Sequence, residues 1–336
     1  NRMSVDTSPK ASTAPTFSIN SPSNYSLFGK LAPNYSLTIT GGIGNFTWYE
    51  FLGFGVNSTP IGLEGTPSEY FEATFNQTMW DSLINGTSIA RFYVNNSLGE
   101  EGYLDAIIRI DIIDPVINII SPTGGYFYST PPNYTVEISD PNLNKTWYTL
   151  NTNQTKHIFT SYNEPIEGWS YLNDGLVTIT FYANDSVSNE NSTSVQVTKD
   201  IVDPGAPSLL TSDPSSWTNI DSFNLTWTNP SDPSGISGAY YKLYTAPLNN
   251  TDGVFVPGVN IESILGIFVS SDGVHDIYVW LNDSAGNGNY LNYNSTQLHL
   301  DTTAPSIPLV FEAIPDSWTN SDNFNLYWTL SKDAEH

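Results

Sequence analysis

Along this chain apolar and polar residues alternate with a period of two. Val177, Ile179, Phe181 and Ala183 fall on one face, and Thr178, Thr180 and Tyr182 on the other, the pattern of a strand buried on one side. Tyr134, Val136 and Ile138 alternate in the same way with Thr135, Glu137 and Ser139, as do Phe223, Leu225 and Trp227 with Asn224, Thr226 and Thr228. Turn-forming clusters such as Asp140-Pro141-Asn142 and Asn173-Asp174-Gly175 separate the runs,. No long stretch holds an apolar period of 3.6, so the spacing predicts an all-β chain.

The strands come in copies. WTNIDSFNLTWT, starting at Trp217, returns as WTNSDNFNLYWT from Trp318. PNYSLTI from Pro33 is echoed by PNYTVEI from Pro132, and Trp48-Tyr49 by Trp147-Tyr148. FYVNNS at 92–97, FYANDS at 181–186 and VWLNDS at 279–284 match one another, and Trp80 matches Trp169. The junctions repeat as DIIDP at 111–115, DIVDP at 200–204 and DTTAP at 301–305. Their spacing is that of an immunoglobulin-type sandwich of roughly 100 residues. The expected map is an extension over 1–14, sandwiches over 15–114, 115–203 and 204–304, and the start of a fourth over 305–336. Proline at each junction fixes φ and stiffens the passage, so the expected fold class is tandem immunoglobulin-like β-sandwich domains in an elongated array. On this map the chain is a fragment. Its apolar strand Phe324 to Trp328 is expected to be exposed and to invite pairing with another chain,.

Composition narrows the function classes. The 336 residues suit two to four domains, and 39% hydrophobic residues suffice for several cores,. Only 13% are charged, about half the usual share of roughly 25%, so Asn, Ser and Thr must carry solubility. A net charge of −24 repels nucleic acid and anionic membrane alike,. Cysteine is absent, which excludes disulfides and thiol chemistry. No apolar run approaches the ~18 residues of a membrane span. The chain begins Asn1-Arg2-Met3 without a signal peptide and is expected to be a processed or trimmed product,.

The segments PNYTVEISDPNLNKTWYTL (132–150), DGLVTITFYANDSVSNENS (174–192), WTNIDSFNLTWTNPSDPSGISGAYYKL (217–243) and LNDSAGN (281–287) carry a resemblance. They resemble immunoglobulin-like and fibronectin type III-like repeats of prokaryotic cell-surface proteins, archaeal ones especially. The likeness covers nearly the whole chain after Pro15. It implies an extracellular location at the cell surface and leaves function open, since such modules occur in S-layers, adhesins, filaments and as spacers beside enzymes. The first repeat departs from the pattern. It reads Asn95-Asn96-Ser97-Leu98-Gly99-Glu100 where the third reads Asn282-Asp283-Ser284-Ala285-Gly286-Asn287.

Sixteen asparagines head N-x-S/T sequons: Asn24, Asn34, Asn45, Asn57, Asn76, Asn85, Asn95, Asn133, Asn144, Asn153, Asn184, Asn191, Asn224, Asn249, Asn282 and Asn294. That pattern points to N-glycosylation in an exported protein. Two positions recur, Asn34 with Asn133, and Asn95 with Asn184 and Asn282, either as placed sugar or as a loop motif copied with the domain. Calcium is the one metal the residues suggest. The junction acids Asp111, Asp114, Asp200 and Asp203 are its candidate ligands, while Asp140, Asp185 and Asp283 lie in loops,. No EF-hand spacing is present, and a capping or solvated Asp is the default.

Trp48, Trp147, Trp217 and Trp227 recur at matching positions, which favours core packing over sugar platforms,. His157, His275, His299 and His336 are scattered, and no catalytic motif accompanies them,. The expectation is therefore not an enzyme and no cofactor beyond calcium. The leading reading is a glycosylated extracellular structural protein: a stalk, S-layer or filament component. Its partners are other copies, other surface proteins or glycans. An adhesin or carbohydrate-binding protein, and an accessory repeat region of a larger secreted hydrolase, are the alternatives.

Overall fold

Strands with one apolar face bury it by closing in pairs of sheets. The computed structural model describes residues 13–153, 155–309, 311–320 and 322–329. The chain folds as tandem immunoglobulin-like β-sandwiches, and its regular secondary structure is almost entirely strand. It divides into two compact units. The first takes Asn1–Ser121, Tyr134–Glu164 and Ile179–Val195, and the second Pro122–Asn133, Pro165–Thr178 and Gln196–His336. The strand Gly175–Asp185 therefore belongs to both, and the units are not the sequence repeats.

In the first unit Thr16–Ser21, Asn34–Gly41 and Tyr70–Thr74 form one antiparallel sheet in that order. Facing it, the order is Ser26–Phe28, Glu101–Ile110, Gly86–Asn95, Phe46–Phe51 and Ile61–Gly62. Only the pair at the Ser26–Phe28 edge is parallel. The rings of Tyr35, Tyr49, Phe51, Phe75 and Phe92 interlock between the sheets, with Leu37, Ile39, Val94 and Ile108 around them. A single helical turn, Gln77–Trp80, closes one end; the Asn76 side chain caps it by accepting from the Met79 N–H,. Trp80 is buried there and its indole N–H donates to the Gly29 carbonyl.

The architecture returns in the second repeat. One sheet orders Asn163–Pro165, Asn133–Ser139 and Val116–Ser121. The other orders Phe127–Tyr128, Glu190–Lys199, Gly175–Asp185, Leu143–Leu150 and His157–Ile158. Tyr134, Tyr148, Phe159 and Phe181, all of the first unit, occupy the positions of its aromatic core. Val177, Ile179, Phe181 and Ala183 are buried, while Thr178, Thr180 and Tyr182 stay half-buried, as the alternation requires.

In the second unit the third repeat pairs Ser208–Asp213, Phe223–Thr228 and Ser263–Ile267 in one sheet. Val254–Pro257, Ile236–Leu243, Gly273–Asp283 and Asn294–Leu300 make the other. The short parallel edge strand of the earlier repeats shrinks here to one bridge, Thr218 to Leu300. Phe223, Leu225, Trp227, Ile277, Val279 and Leu298 fill the core. Beyond it Phe311–Ile314 and Asn325–Trp328 pair antiparallel, with Leu326, Tyr327 and Trp328 exposed. Among the described residues no helix is long and apolar enough to cross a membrane.

Candidate metal centres

Three aspartates that are far apart in sequence meet in the first unit: Asp111 just after Glu101–Ile110, Asp140 in the turn after Asn133–Ser139, and Asp185 at the end of Gly175–Asp185. Each offers a carboxylate oxygen within 4.8 Å of the other two. In the second unit Asp200, Asp232 and Asp283 form the same arrangement, again within 4.8 Å.

Local chemistry sets each side chain. Asp283 ends its strand and folds the following loop around itself. Its Oδ1 accepts from the Asn287 N–H (2.7 Å) and its Oδ2 from Asn287 Nδ2 (2.8 Å). Gly286, at φ 89°, supplies the left-handed residue this tight loop needs,. Asn287 Nδ2 also donates to the Asp200 carbonyl at 3.0 Å, which ties the loop to the incoming junction. Asp185 repeats this, accepting from the Val187 and Asn189 N–H groups and from Asn189 Nδ2, while Asn189 Nδ2 reaches the Asp111 carbonyl at 2.8 Å. The first repeat has the same loop with its charges rearranged. Asn96 Oδ1 accepts from the Leu98 and Glu100 N–H groups, and Asn96 Nδ2 donates to Glu100.

The remaining acids are held by their own turns. Asp232 Oδ1 accepts from the Ser234 N–H and hydroxyl and from the Gly235 N–H. Asp200 Oδ1 accepts from the Val202 N–H. The second oxygens of Asp200 and Asp232 are buried without a hydrogen-bond partner. In the first unit the matching Asp111 Oδ2 accepts from Asn142 Nδ2. Carboxylate oxygens within 4.8 Å of one another repel, when charged, by roughly 3.5 kcal/mol or more per pair at an effective dielectric of about 20. Burial pushes the Asp283 carboxyl up; hydrogen bonds from Asn287 pull it down, and the charges of Asp232 and Asp200 push it up again.

Of the four junction acids named from sequence, Asp111 and Asp200 enter these groups and Asp114 and Asp203 do not. Asp114 pairs with Lys30, and Asp203 is exposed. Asp232 carried no sequence reading as a ligand, and Asp140, Asp185 and Asp283 read as ordinary loop acids. No local motif joins them, because whole strands separate them. The one available signal was that the strings ending in DP, SDP and NDS are copied together from repeat to repeat.

The tryptophans divide. Trp227 and Trp147 are buried, whereas Trp48 is half-buried and stacks flat on Tyr93, with ring centroids 5.2 Å apart. Trp217 departs from the expected core role: it is 37% exposed and leans on His299. Trp48 also lines a groove of the first unit with Phe46, Asn57, Ser58, Pro60 and Asn95. His157 stacks on Tyr148, and a His275 ring nitrogen lies 2.7 Å from the Ser271 carbonyl oxygen; His336 lies outside the described residues.

The sequon asparagines also divide. Asn191 and Asn294 donate Nδ2 to the carbonyls of Pro115 and Pro207, and Asn282 donates its own to Ser237 and to the Asp283 carbonyl. Asn184 buries its Oδ1, Asn95 Oδ1 accepts from the Phe46 N–H, and Asn76 is the helix cap. Asn153 and Asn249 are exposed. Each accepts with Oδ1 from the N–H and hydroxyl of its own sequon threonine, Thr155 and Thr251.

No protein-family model and no curated protein matches the chain. Among solved structures it is similar to fibronectin III-like and immunoglobulin-like tandem repeats. A titin domain structure matches at 13% identity, covering 86% of this chain and 100% of that one, with a TM-score of 0.37. A Ca2+-stabilized adhesin with which an Antarctic bacterium binds ice matches at 12% identity, over 90% and 76%, with a TM-score of 0.39. A tetra-tandem repeat from the extending region of a large adhesion protein matches at 19% identity, over 87% and 75%, with a TM-score of 0.33.

Proposed function

We propose that this run of β-sandwich repeats is a non-catalytic spacer in a glycosylated extracellular surface protein, of the stalk, S-layer or filament kind. Its repeats are the spans 15–114, 115–203 and 204–304. The observation that carries the reading is the twofold use of one junction clasp. Asn189 holds the Asp111 carbonyl, and Asn287 holds the Asp200 carbonyl, each from a loop organised by a buried aspartate. A spacer gains from fixing its linkers, because a linker free to rotate has to be ordered at an entropic cost of about 1–2 kcal/mol per residue. Sixteen sequons and a 13% share of charged residues favour a surface kept soluble by neutral polar groups and sugar.

Protease shaving of intact source cells, read by mass spectrometry, tests this. The expected result is release of peptides of this chain, with glycan on Asn153 and Asn249 and none on Asn184, Asn191, Asn282 or Asn294. The acceptor nitrogen takes no part in the Asx turns of the first two. Asn191, Asn282 and Asn294 spend theirs on the fold, and Asn184 has its amide oxygen buried. Recovery of the chain only after lysis, with Asn153 and Asn249 bare, contradicts the reading.

A further inference from the structure

We propose that Asp200, Asp232 and Asp283 hold a single calcium ion. The inference rests on the geometry of the second unit and not on the surface role. Asp200 and Asp283 are each 1% exposed, and the three carboxylates place oxygens within 4.8 Å of one another. Asp200 Oδ2 and Asp232 Oδ2 are buried with nothing to accept from. A buried carboxylate oxygen without a donor is costly, and two of them beside a third carboxylate are costlier still. The nearest base in sequence does not help: Lys199 donates its ammonium to the carbonyls of Trp169 and Leu172. A cation among the three resolves both the lost hydrogen bonds and the repulsion.

The donor set selects the ion. It is all oxygen, which suits a hard cation and not a transition metal. Calcium binds oxygens at about 2.3–2.6 Å, so opposed ligands stand up to about 5 Å apart, and the 4.8 Å limit fits that span. Magnesium gives up its waters reluctantly, and two acids at 1% exposure leave little room for retained water. The site is also prearranged. Backbone N–H groups already fix Oδ1 of Asp200, Asp232 and Asp283, and Asn287 Nδ2 holds Oδ2 of Asp283, so the three carboxylates are oriented without the ion. In the first unit the Asn142 amide donates to Asp111 Oδ2, and the proposal is confined to the second.

The test is equilibrium dialysis of the full chain, stripped with chelator, against calcium. One ion is expected to bind at the Asp200 site with a Kd of about 10⁻⁴–10⁻³ M or tighter, as for extracellular calcium modules. The melting temperature should rise by a few degrees at saturating calcium. Asp200→Asn with Asp232→Asn keeps each Oδ1 acceptor and removes the charges. That variant should bind one ion fewer, while Asp140→Asn leaves this site filled. If the double variant loses its β-type circular dichroism, Asp232→Asn alone serves, with at least a tenfold weaker Kd expected. No uptake by the unaltered chain at 10 mM calcium, or an unchanged ion count in the folded variant, overturns the proposal. Displacement by an equal concentration of magnesium overturns the assignment to calcium.

Discussion

Replacing Phe92 with alanine is expected to destabilise the first sandwich by about 3–5 kcal/mol, a large part of what holds a domain folded. The ring is fully buried, with centroids 5.2 Å from Tyr35, 5.8 Å from Phe75 and 6.2 Å from Tyr49. Those neighbours pack against one another and against Phe51 and Trp80, so they cannot collapse into the space left behind. The loss is therefore burial plus an unfilled cavity. Urea unfolding followed by tryptophan fluorescence reads it out. Phe46, 40% exposed on the same sheet, is the control, with a loss below about 1 kcal/mol expected for its alanine variant,. Equal effects at the two positions would place the core elsewhere.

Asp185→Ala is expected to cost about 3 kcal/mol. It strips the acceptor from the N–H groups of Val187 and Asn189 and from Asn189 Nδ2, all at a residue 1% exposed. Buried donors left unpaired cost about 1–3 kcal/mol each, less whatever water reaches. The first repeat supplies a control, because it builds the same loop from Asn96 and Glu100. Asp185→Asn alone sets two amide NH2 groups against each other. Adding Asn189→Glu restores the pairing of the first repeat, and chemical unfolding should show about half the stability recovered. Recovery should not be complete, because the bond from Asn189 Nδ2 to the Asp111 carbonyl is gone. If the double variant is no better than the single one, the loop is not held by this side-chain exchange.

These two residues also mark what the sequence could say. Phe92 sits in a run that alternates on both sides of it, and its face follows from period two alone. Val177 to Ala183 and Phe223 to Trp227 were legible for the same reason. Trp217 was not. It repeats at Trp318, and repetition reads as core, yet it is 37% exposed and leans on His299, a partner far along the chain. Two-residue edge strands such as Ile61–Gly62 are too short to carry a period. Of each carboxylate trio the sequence named the junction member, Asp111 or Asp200. Asp140, Asp185 and Asp283 read only as loop acids and Asp232 only as part of a turn, because what brings them to the junction member is sheet pairing and not local spacing. The sequons were visible as a pattern. Which of them are already spent as caps and linker clasps depends on hydrogen bonds that only the folded chain displays.

Hydrogen–deuterium exchange on the intact chain tests the tandem sandwich fold most directly. The strands Gly86–Asn95, Gly175–Asp185 and Gly273–Asp283 hold the same central place in their sheets. Their amides should all exchange far more slowly than the turns that follow them. If any one of the three exchanged as fast as its neighbouring turn, that repeat would not close a core, and the tandem reading would fail there.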